Sequence, residues 1–401
     1  MKTDRLYYNE SYLRSFEAQI VERGDWNGQP AVALDRSAFY PESGGQPGDH
    51  GTLAQVAVVD VQVRDGVVWH ILAEPLPEDL QTVQCEIDWA RRFDHMQQHH
   101  GQHLLSAAFV EVANLKTVSF HLGVQSCTID LDTSDLSEQT VHAVLDLANQ
   151  IVWEDRPIDA RFVSDEELAR LPLRKAPSVE GPIRIVSVPD FDYSACGGTH
   201  PRSTGSVGTI VINNWSRQKG GTRVEFLCGA RSLKSYQELN GIARRAAGQL
   251  SVSVEQFEEA FERLRGNEAA ARRALEAAQA QLLHYEAQEL LAQAEQVGSA
   301  RLVVRRFEGR SPAELRSLAE RIIAAGSDAV VVLASADNKA QIVLGRGAEL
   351  QLDSGKLLRE GLSFVGGRGG GQSQLAQGGG PDVSGLDAAL SALSTAIKRD
   401  L

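Results

Sequence analysis

The sequence predicts an α+β protein in four parts: a small N-terminal β-barrel, an α+β domain dense in histidine, a helical arm and a C-terminal α/β domain. Three observations predict it. The first 85 or so residues alternate short β-like runs with glycine and proline turns. Helical spacing sets in at Asp88 to Arg92, and the texture between Ser232 and Gly298 is dominated by Ala, Glu, Arg, Gln and Leu with little strand signal. The last hundred residues then read β, α, β, β, α. These changes of texture place boundaries at 1–87, 88–231, 232–299 and 300–401. With 401 residues, 42% of them hydrophobic and 23% charged, the chain is long enough for several real cores.

The N-terminal strands are read from FEAQIVER, PAVALDRSAFY and VAVVDVQVRDGVVWHIL, the pattern of a small antiparallel barrel or sandwich. In the second part, helices are expected around the histidines and over VHAVLDLANQIVWED, and strands over SCTIDLD, IRIVSVPDF, TIVINNW and RVEFLCG. In the arm, Leu264, Ala271, Leu275, Ala278, Leu282 and Tyr285 form a helical seam whose register breaks at Glu289. That seam fits a two-helix arm packed on its own chain and a homodimer contact equally. The C-terminal part is read as strand RLVVRRF, helix SPAELRSLAERIIAAG, strands AVVVLAS and AQIVLGRG, a glycine-rich loop, and helix DAALSALSTAIKR.

Composition narrows the function classes. Cys85, Cys127, Cys196 and Cys228 lie far apart, and the chain begins without an apolar signal core, which argues for a reducing cytoplasm and against a disulfide framework. No apolar run approaches the ~20 residues a membrane helix needs. The net charge of −13 argues against a nucleic-acid partner on average. Between Asp192 and Glu225, however, there is no acidic residue, while Arg202, Arg217, Lys219 and Arg223 make a cationic segment.

The chemistry is concentrated in HMQQHHGQHLLS, where four of the ten histidines fall between His95 and His103. On a helix, His95, His99 and His103 share a face and His100 points about a quarter turn away. Two imidazoles at i and i+4 are half of a metal site. CGGTH supplies the other half, with Cys196 and His200 four residues apart and glycines between them that let the backbone fold. One thiolate and three imidazoles suit tetrahedral Zn²⁺ better than magnesium or calcium. His99, His103, Cys196 and His200 are therefore the expected ligands of one zinc per chain, with His95 in reserve. His100 is expected to be exposed and His121, in SFHLG, to be structural.

These residues carry a resemblance. H-x-x-x-H followed about a hundred residues later by C-x-x-x-H, within DFDYSACGGTH, resembles the editing domain of alanyl-tRNA synthetases and their freestanding relatives, the AlaX proteins. AFYPESGGQPGDHG, at 38–51, is similar to the family's glycine-rich barrel motif, and GGRGGGQSQLAQGGGPD, at 366–382, resembles the signature of the synthetase C-terminal domain, DHHA1. The resemblance implies a zinc-binding editing domain followed by a DHHA1-like domain that meets the outer corner of the tRNA, with the arm setting the distance between them. The chain starts at the editing barrel, so the long, freestanding type is implied, acting in trans on tRNA(Ala) mischarged with serine or glycine.

What the resemblance implies for single residues follows. Ser37 stands where the family usually has a serine-sensing threonine, and Gln46 matches its pocket glutamine. His100 stands where relatives commonly have threonine. Arg202, Arg217, Lys219 and Arg223 would meet the acceptor stem, and Arg368, Gly369 and Gly370 another part of the tRNA. A pocket for alanine cannot strongly reject serine, by about 10²-fold at most, so such errors must be removed afterwards. Four protein ligands also fill a tetrahedron, as in a closed structural site, and the alternative is a non-catalytic tRNA-binding protein with a structural zinc. A phosphoesterase of the DHH type is disfavoured because FDHMQ lacks clustered aspartates.

Overall fold

The computed structural model describes residues 2–176 and 181–401. It divides into two units, Met1–Ala246 and Ala247–Leu401. The division falls inside a helix of the expected arm rather than at 231 or 299.

In the first unit, β1 (Ser15–Trp26), β2 (Gln29–Leu34), β3 (Gly51–Leu53), β4 (Val56–Arg64), β5 (Val67–Leu72) and β6 (Thr82–Ile87) close into a barrel in the order β1-β2-β5-β4-β3-β6. Burial on β6 alternates strictly, so Val83, Cys85 and Ile87 point inward with Val32, Leu34, Leu53, Val61 and Leu72. A short parallel pairing of Asp4–Arg5 with Arg36–Ser37 lies beside it.

Helix α1 (Trp89–Ala113) follows at once, with the Asp88 carboxylate accepting from the Arg91 amide as its N-cap and Asn114 ending it in the left-handed conformation. Its C-terminal half, Leu104, Leu105, Ala108 and Phe109, packs with Val141, Val144 and Ile151 of α2 (Glu138–Trp153). Both helices bury their faces on β7 (Thr117–Leu122), β8 (Cys127–Leu131), β12 (Ile210–Gln218) and β13 (Gly221–Cys228), which form an antiparallel sheet in the order β12-β13-β8-β7. A second antiparallel sheet, β9 (Asp159–Val163), β10 (Ile183–Val188) and β11 (Asp192–Ala195), leads into the CGGTH segment.

Two polar clamps fix the histidine helix. Arg92, fully buried, pairs with Asp49 of the barrel motif and donates to the carbonyls of Ser11 and Ala38. Gln98 acts as a surrogate strand, donating to the Cys228 carbonyl and accepting from the Cys228 amide, both at 2.9 Å. α1 thereby joins the barrel to the sheet. From β13 the chain runs into α3 (Ala230–Gln249).

The second unit contains α4 (Phe257–Ala292) and a six-stranded sheet. Its strands are β14 (Glu295–Val297), β15 (Ala300–Glu308), β16 (Ala329–Ala336), β17 (Ala340–Arg346), β18 (Arg368–Gly371) and β19 (Leu375–Gly380), in the order β14-β15-β16-β17-β19-β18. Only β15 and β16 are parallel, linked by α5 (Pro312–Ala325), which opens with a Ser311/Glu314 capping box. α6 (Ser354–Leu362) and α7 (Leu386–Asp400) cover the other face.

Three expectations change here. The glycine-rich stretch is not a loop: β18 and β19 pair through Arg368↔Gly379 and Gly369↔Gly378, and the missing side chains allow that close contact. α6 was not expected, because SGKLLREGL is short and lies between polar stretches. Of the two readings of the α4 seam, packing on the chain itself finds no support among the described residues, where Leu264, Leu275, Leu282 and Tyr285 are exposed.

Candidate metal centre and cavity

α1 delivers His99 and His103 to one point, and the turn after β11 delivers Cys196 and His200. One ligand atom from each of these four residues lies within 4.8 Å of all the others. The four can hold a metal ion. His99 Nε2 is 3.1 Å from Cys196 Sγ, and His200 Nε2 is buried with no hydrogen-bond partner.

The loop that carries Cys196 and His200 is braced from two sides. Arg184 of β10 donates to the carbonyls of Tyr8, Cys196 and Gly198, the last two at 3.0 Å. Gln46 donates to Thr199 Oγ1 at 2.8 Å and accepts weakly from the Thr199 amide. Gly198 must be glycine, since a Cβ there would sit 2.7 Å from His99 Nε2 and 3.0 Å from Gln46 Oε1.

Outside the four, carboxylate and imidazole groups orient the ligands. His103 Nδ1 is 3.1 Å from Asp192 Oδ2, and Asp192 is itself held by Arg174 Nε at 2.8 Å and by Ser194. His103 therefore turns Nε2 inward, the arrangement typical of metal-bound histidine. His100 does the same for His200, its Nδ1 lying 2.9 Å from His200 Nδ1.

Charge is organised accordingly. Burial works against ionisation of Cys196, but the imidazoles of His99, His200 and His103 outweigh it and hold the thiol well below its ordinary range. Burial likewise opposes protonation of His103, yet Asp192 and Cys196 push it up to about 9. His200 is pushed down to about 3, chiefly by burial.

The cluster opens on a cavity of about 640 Å³. Its wall includes Tyr8, Tyr40, Phe120 and Phe162, the polar groups Ser43, Gln102, Thr117 and Ser119, and the cations Arg174, Lys175 and Arg184. His99, His103 and Cys196 also line it, so three members of the cluster are reachable from it.

The other sequence-derived residues are distributed as follows. The reserve ligand His95 lies outside the cluster, on a separate cavity with Arg91, Asp94 and Arg231, because α1 turns it toward the opposite side of the SGGQ loop. Ser37 does not reach the cavity. It is fully buried, its hydroxyl 2.8 Å from His70 Nε2 and accepting from the Phe39 amide, because the local backbone turns it into the barrel. Gln46 is also fully buried and touches the loop rather than the cavity. His100, expected on the surface, is fully buried, since α1 is covered by the sheet on one side and by the CGGTH loop on the other. His121 is exposed on β7.

Arg217 and Lys219 lie at the β12–β13 hairpin tip and are exposed. Arg202 is exposed and stacks over the Tyr12 ring at 4.4 Å, whereas Arg223 is tied to Asp130 at 2.8 Å. Arg368, Gly369 and Gly370 are exposed on the edge strand of the second unit. Sequence reasoning missed Arg184, Arg174 and Asp192. Only the proximity of Asp192 to Cys196 in DFDYSACGGTH offered a signal.

Three family models match the chain: "tRNA synthetases class II (A)" over residues 5–91, "Threonyl and Alanyl tRNA synthetase second additional domain" over 183–225, and "DHHA1 domain" over 299–399. The second of these includes the Cys196/His200 loop. The class defined by fold and site is thus that of proteins built from alanyl-tRNA synthetase modules around a His/Cys centre. The chain is similar to the alanyl-tRNA editing protein AlaX-L of Pyrococcus horikoshii, 30% identical over 390 residues that cover 94% of each chain. It belongs to that family of alanyl-tRNA editing proteins. It is also 34% identical over 399 residues to the alanine–tRNA ligase of Pyrococcus abyssi, covering 96% of this chain and 42% of that one. It spans about two fifths of the length of such ligases. A solved C-Ala domain from Aquifex aeolicus alanyl-tRNA synthetase matches at 32% identity with a TM-score of 0.25, over 27% of this chain and 96% of that one. No helix among the described residues is long and apolar enough to cross a membrane.

Proposed function

We propose that this protein is a zinc-dependent hydrolase that removes serine, and also glycine, from mischarged tRNA(Ala) in the cytoplasm. The observation that carries the reading is a cluster of three imidazoles and one thiolate, three members of which, His99, His103 and Cys196, line a cavity large enough for an aminoacylated nucleoside. The family relative named as an alanyl-tRNA editing protein supports it.

The residues fit zinc. Ligands around a tetrahedral Zn²⁺ with one thiolate lie about 3.3–3.5 Å apart, given Zn–N of ~2.0 Å and Zn–S of ~2.3 Å, and the cluster spans up to 4.8 Å with one pair already at 3.1 Å. His99, His103, Cys196 and His200 would hold the ion. Bound there, zinc supplies Lewis acidity and a positive charge beside the scissile ester.

The chain's own groups supply the rest. Tyr8, Phe120 and Phe162 offer ring faces and edges against which a terminal nucleoside can pack. Lys175 and Arg174 put positive charge on the same wall, where the acceptor end brings phosphate. Ser43, Gln102, Thr117 and Ser119 give the polar surface that can engage a serine hydroxyl, and a site that must satisfy such a group rejects the analogue lacking it by ~10⁴ or more. Arg184 and Gln46 keep the loop fixed, so the ester meets a preformed site. Ser37 is assigned to the barrel core. Arg202, Arg217 and Lys219 are assigned to the acceptor stem, and Arg368, Gly369 and Gly370 to a more distant part of the tRNA.

The test is the rate of deacylation of Ser-tRNA(Ala), Gly-tRNA(Ala) and Ala-tRNA(Ala) by wild type and Cys196→Ala, with zinc measured in both. Fast loss of serine, slow loss of alanine and an inactive, zinc-poor variant are expected. A zinc-loaded wild type that binds the tRNA and leaves every ester intact would establish the tRNA-binding reading instead.

A further inference from the structure

His100 lies outside the ligand set, yet the structure treats it as part of the centre. It is fully buried, its ring stacks parallel to His103 with 5.6 Å between centroids, and its Nδ1 is 2.9 Å from Nδ1 of His200. Only one of two nitrogens facing each other can carry the proton. A metal ion on His200 Nε2 requires a lone pair there, so the His200 proton must sit on Nδ1 and be donated outward. His100 Nδ1 is then the acceptor, and its own proton resides on Nε2.

That assignment carries a visible cost, because His100 Nε2 is buried and has no hydrogen-bond partner. An imidazole whose other nitrogen is left unsatisfied is a poor choice for filling core. The hydrogen bond that His100 makes is therefore made by Nδ1 alone.

We infer that His100 is a positioning residue for the metal centre: it selects the Nδ1–H tautomer of His200, fixes that ring and thereby raises the affinity of the four-residue cluster for zinc. The inference rests on the zinc-binding reading above, and it assigns His200 the same kind of support that Asp192 gives His103. The two ligands are thus held by chemically different partners, an anion on one side and a neutral imidazole on the other. The neutral partner adds no negative charge to a site that already contains the Cys196 thiolate.

The experiment measures zinc dissociation constants by competition with a chromophoric chelator for wild type, His100→Gln and His100→Phe, together with the melting temperature of each metal-free protein. Glutamine can present an acceptor oxygen to His200 Nδ1–H, and phenylalanine keeps ring volume without any acceptor. A 10- to 100-fold loss of affinity is expected for His100→Phe, the usual effect of removing such a partner, with His100→Gln within a few-fold of wild type and metal-free stabilities alike. If both variants bind zinc as tightly as wild type, His100 does not position the ligand. If both lose affinity and metal-free stability together, it merely fills space. Failure of the wild type itself to bind zinc would overturn the metal reading, which is a different result from any of these.

Discussion

Gly101 lies on α1 between His99 and His103 of the cluster, and Gly101→Ala sets two known effects against each other. Alanine is favoured over glycine in a helix interior by up to about 1 kcal/mol. A Cβ at position 101, however, would lie 2.1 Å from Cys228 Sγ, 3.2 Å from Cys228 Cβ and 3.4 Å from Val207 Cγ1. Ordinary contacts need about 3.5–4.0 Å, so α1 and β13 must part by more than an ångström. The Gln98 clamp to the Cys228 backbone resists that movement. Overpacking costs about 1–3 kcal/mol, and an encroachment as deep as 2.1 Å belongs to the upper part of that range, about 2–3 kcal/mol, which after the helix-propensity gain of about 1 kcal/mol leaves a net destabilisation of about 1–2 kcal/mol. In a unit of this size it corresponds to a fall in melting temperature of about 2–8 °C. Because the movement separates α1 from its support, zinc retention should fall with it.

Cys228→Ala removes the sulfur and leaves contacts the structure can absorb. In a double-mutant cycle followed by thermal unfolding, Gly101→Ala should be much less harmful, or even stabilising, in the Cys228→Ala background, with a coupling of about 1–2 kcal/mol. If Gly101→Ala is more stable than wild type on its own, or if the two substitutions are additive, the close approach of α1 to β13 does not limit what position 101 can hold.

Two further outcomes are expected. His70, buried in the barrel against Ser37, is pushed down by burial from 6.5 to about 4, so the folded state resists protonating it. Its contribution is complete above pH 6.5 and is lost as pH falls toward 4, in all about 3 kcal/mol; denaturant unfolding across that range should show a shallower acid decline for His70→Gln, and an unchanged slope would remove His70 as the cause. At the hairpin tip, Arg217→Glu with Lys219→Glu should weaken tRNA binding and flatten its salt dependence, each lost phosphate contact lowering the slope by about 1. Arg223→Glu should do less, since Arg223 already serves Asp130, and equal effects in a filter-binding titration would show that the hairpin tip is not where phosphate is met.

The sequence by itself determined which four residues the fold brings together in the His/Cys cluster. His99 and His103 at i and i+4, with Cys196 and His200 in CGGTH, can be read because helical geometry and metal chemistry act locally, over four residues at a time. Strands β1, β2, β4, β5, β8, β10, β12 and β13 of the first unit and the parallel β15–α5–β16 unit of the second were legible for a similar reason, alternation and capping being written within single elements, whereas β3, β6, β7, β9 and β11 were not read. Which face of α1 is covered is not local. His100 reads as a surface residue by its position on the helix wheel, and only the arrival of His200, a hundred residues later, buries it. Ser37 reads as a pocket residue by its motif, and the path of the barrel backbone turns it inward. The glycine-rich stretch reads as a loop because glycine favours no element, while backbone pairing with a neighbouring strand makes it a hairpin. Arg184 and Arg174 carry no sequence signature, and Asp192 only its nearness to Cys196, since a guanidinium or carboxylate acquires its role from the carbonyls and imidazoles it happens to face. The tertiary structure decided those roles because hydrogen bonding and burial depend on partners far away along the chain.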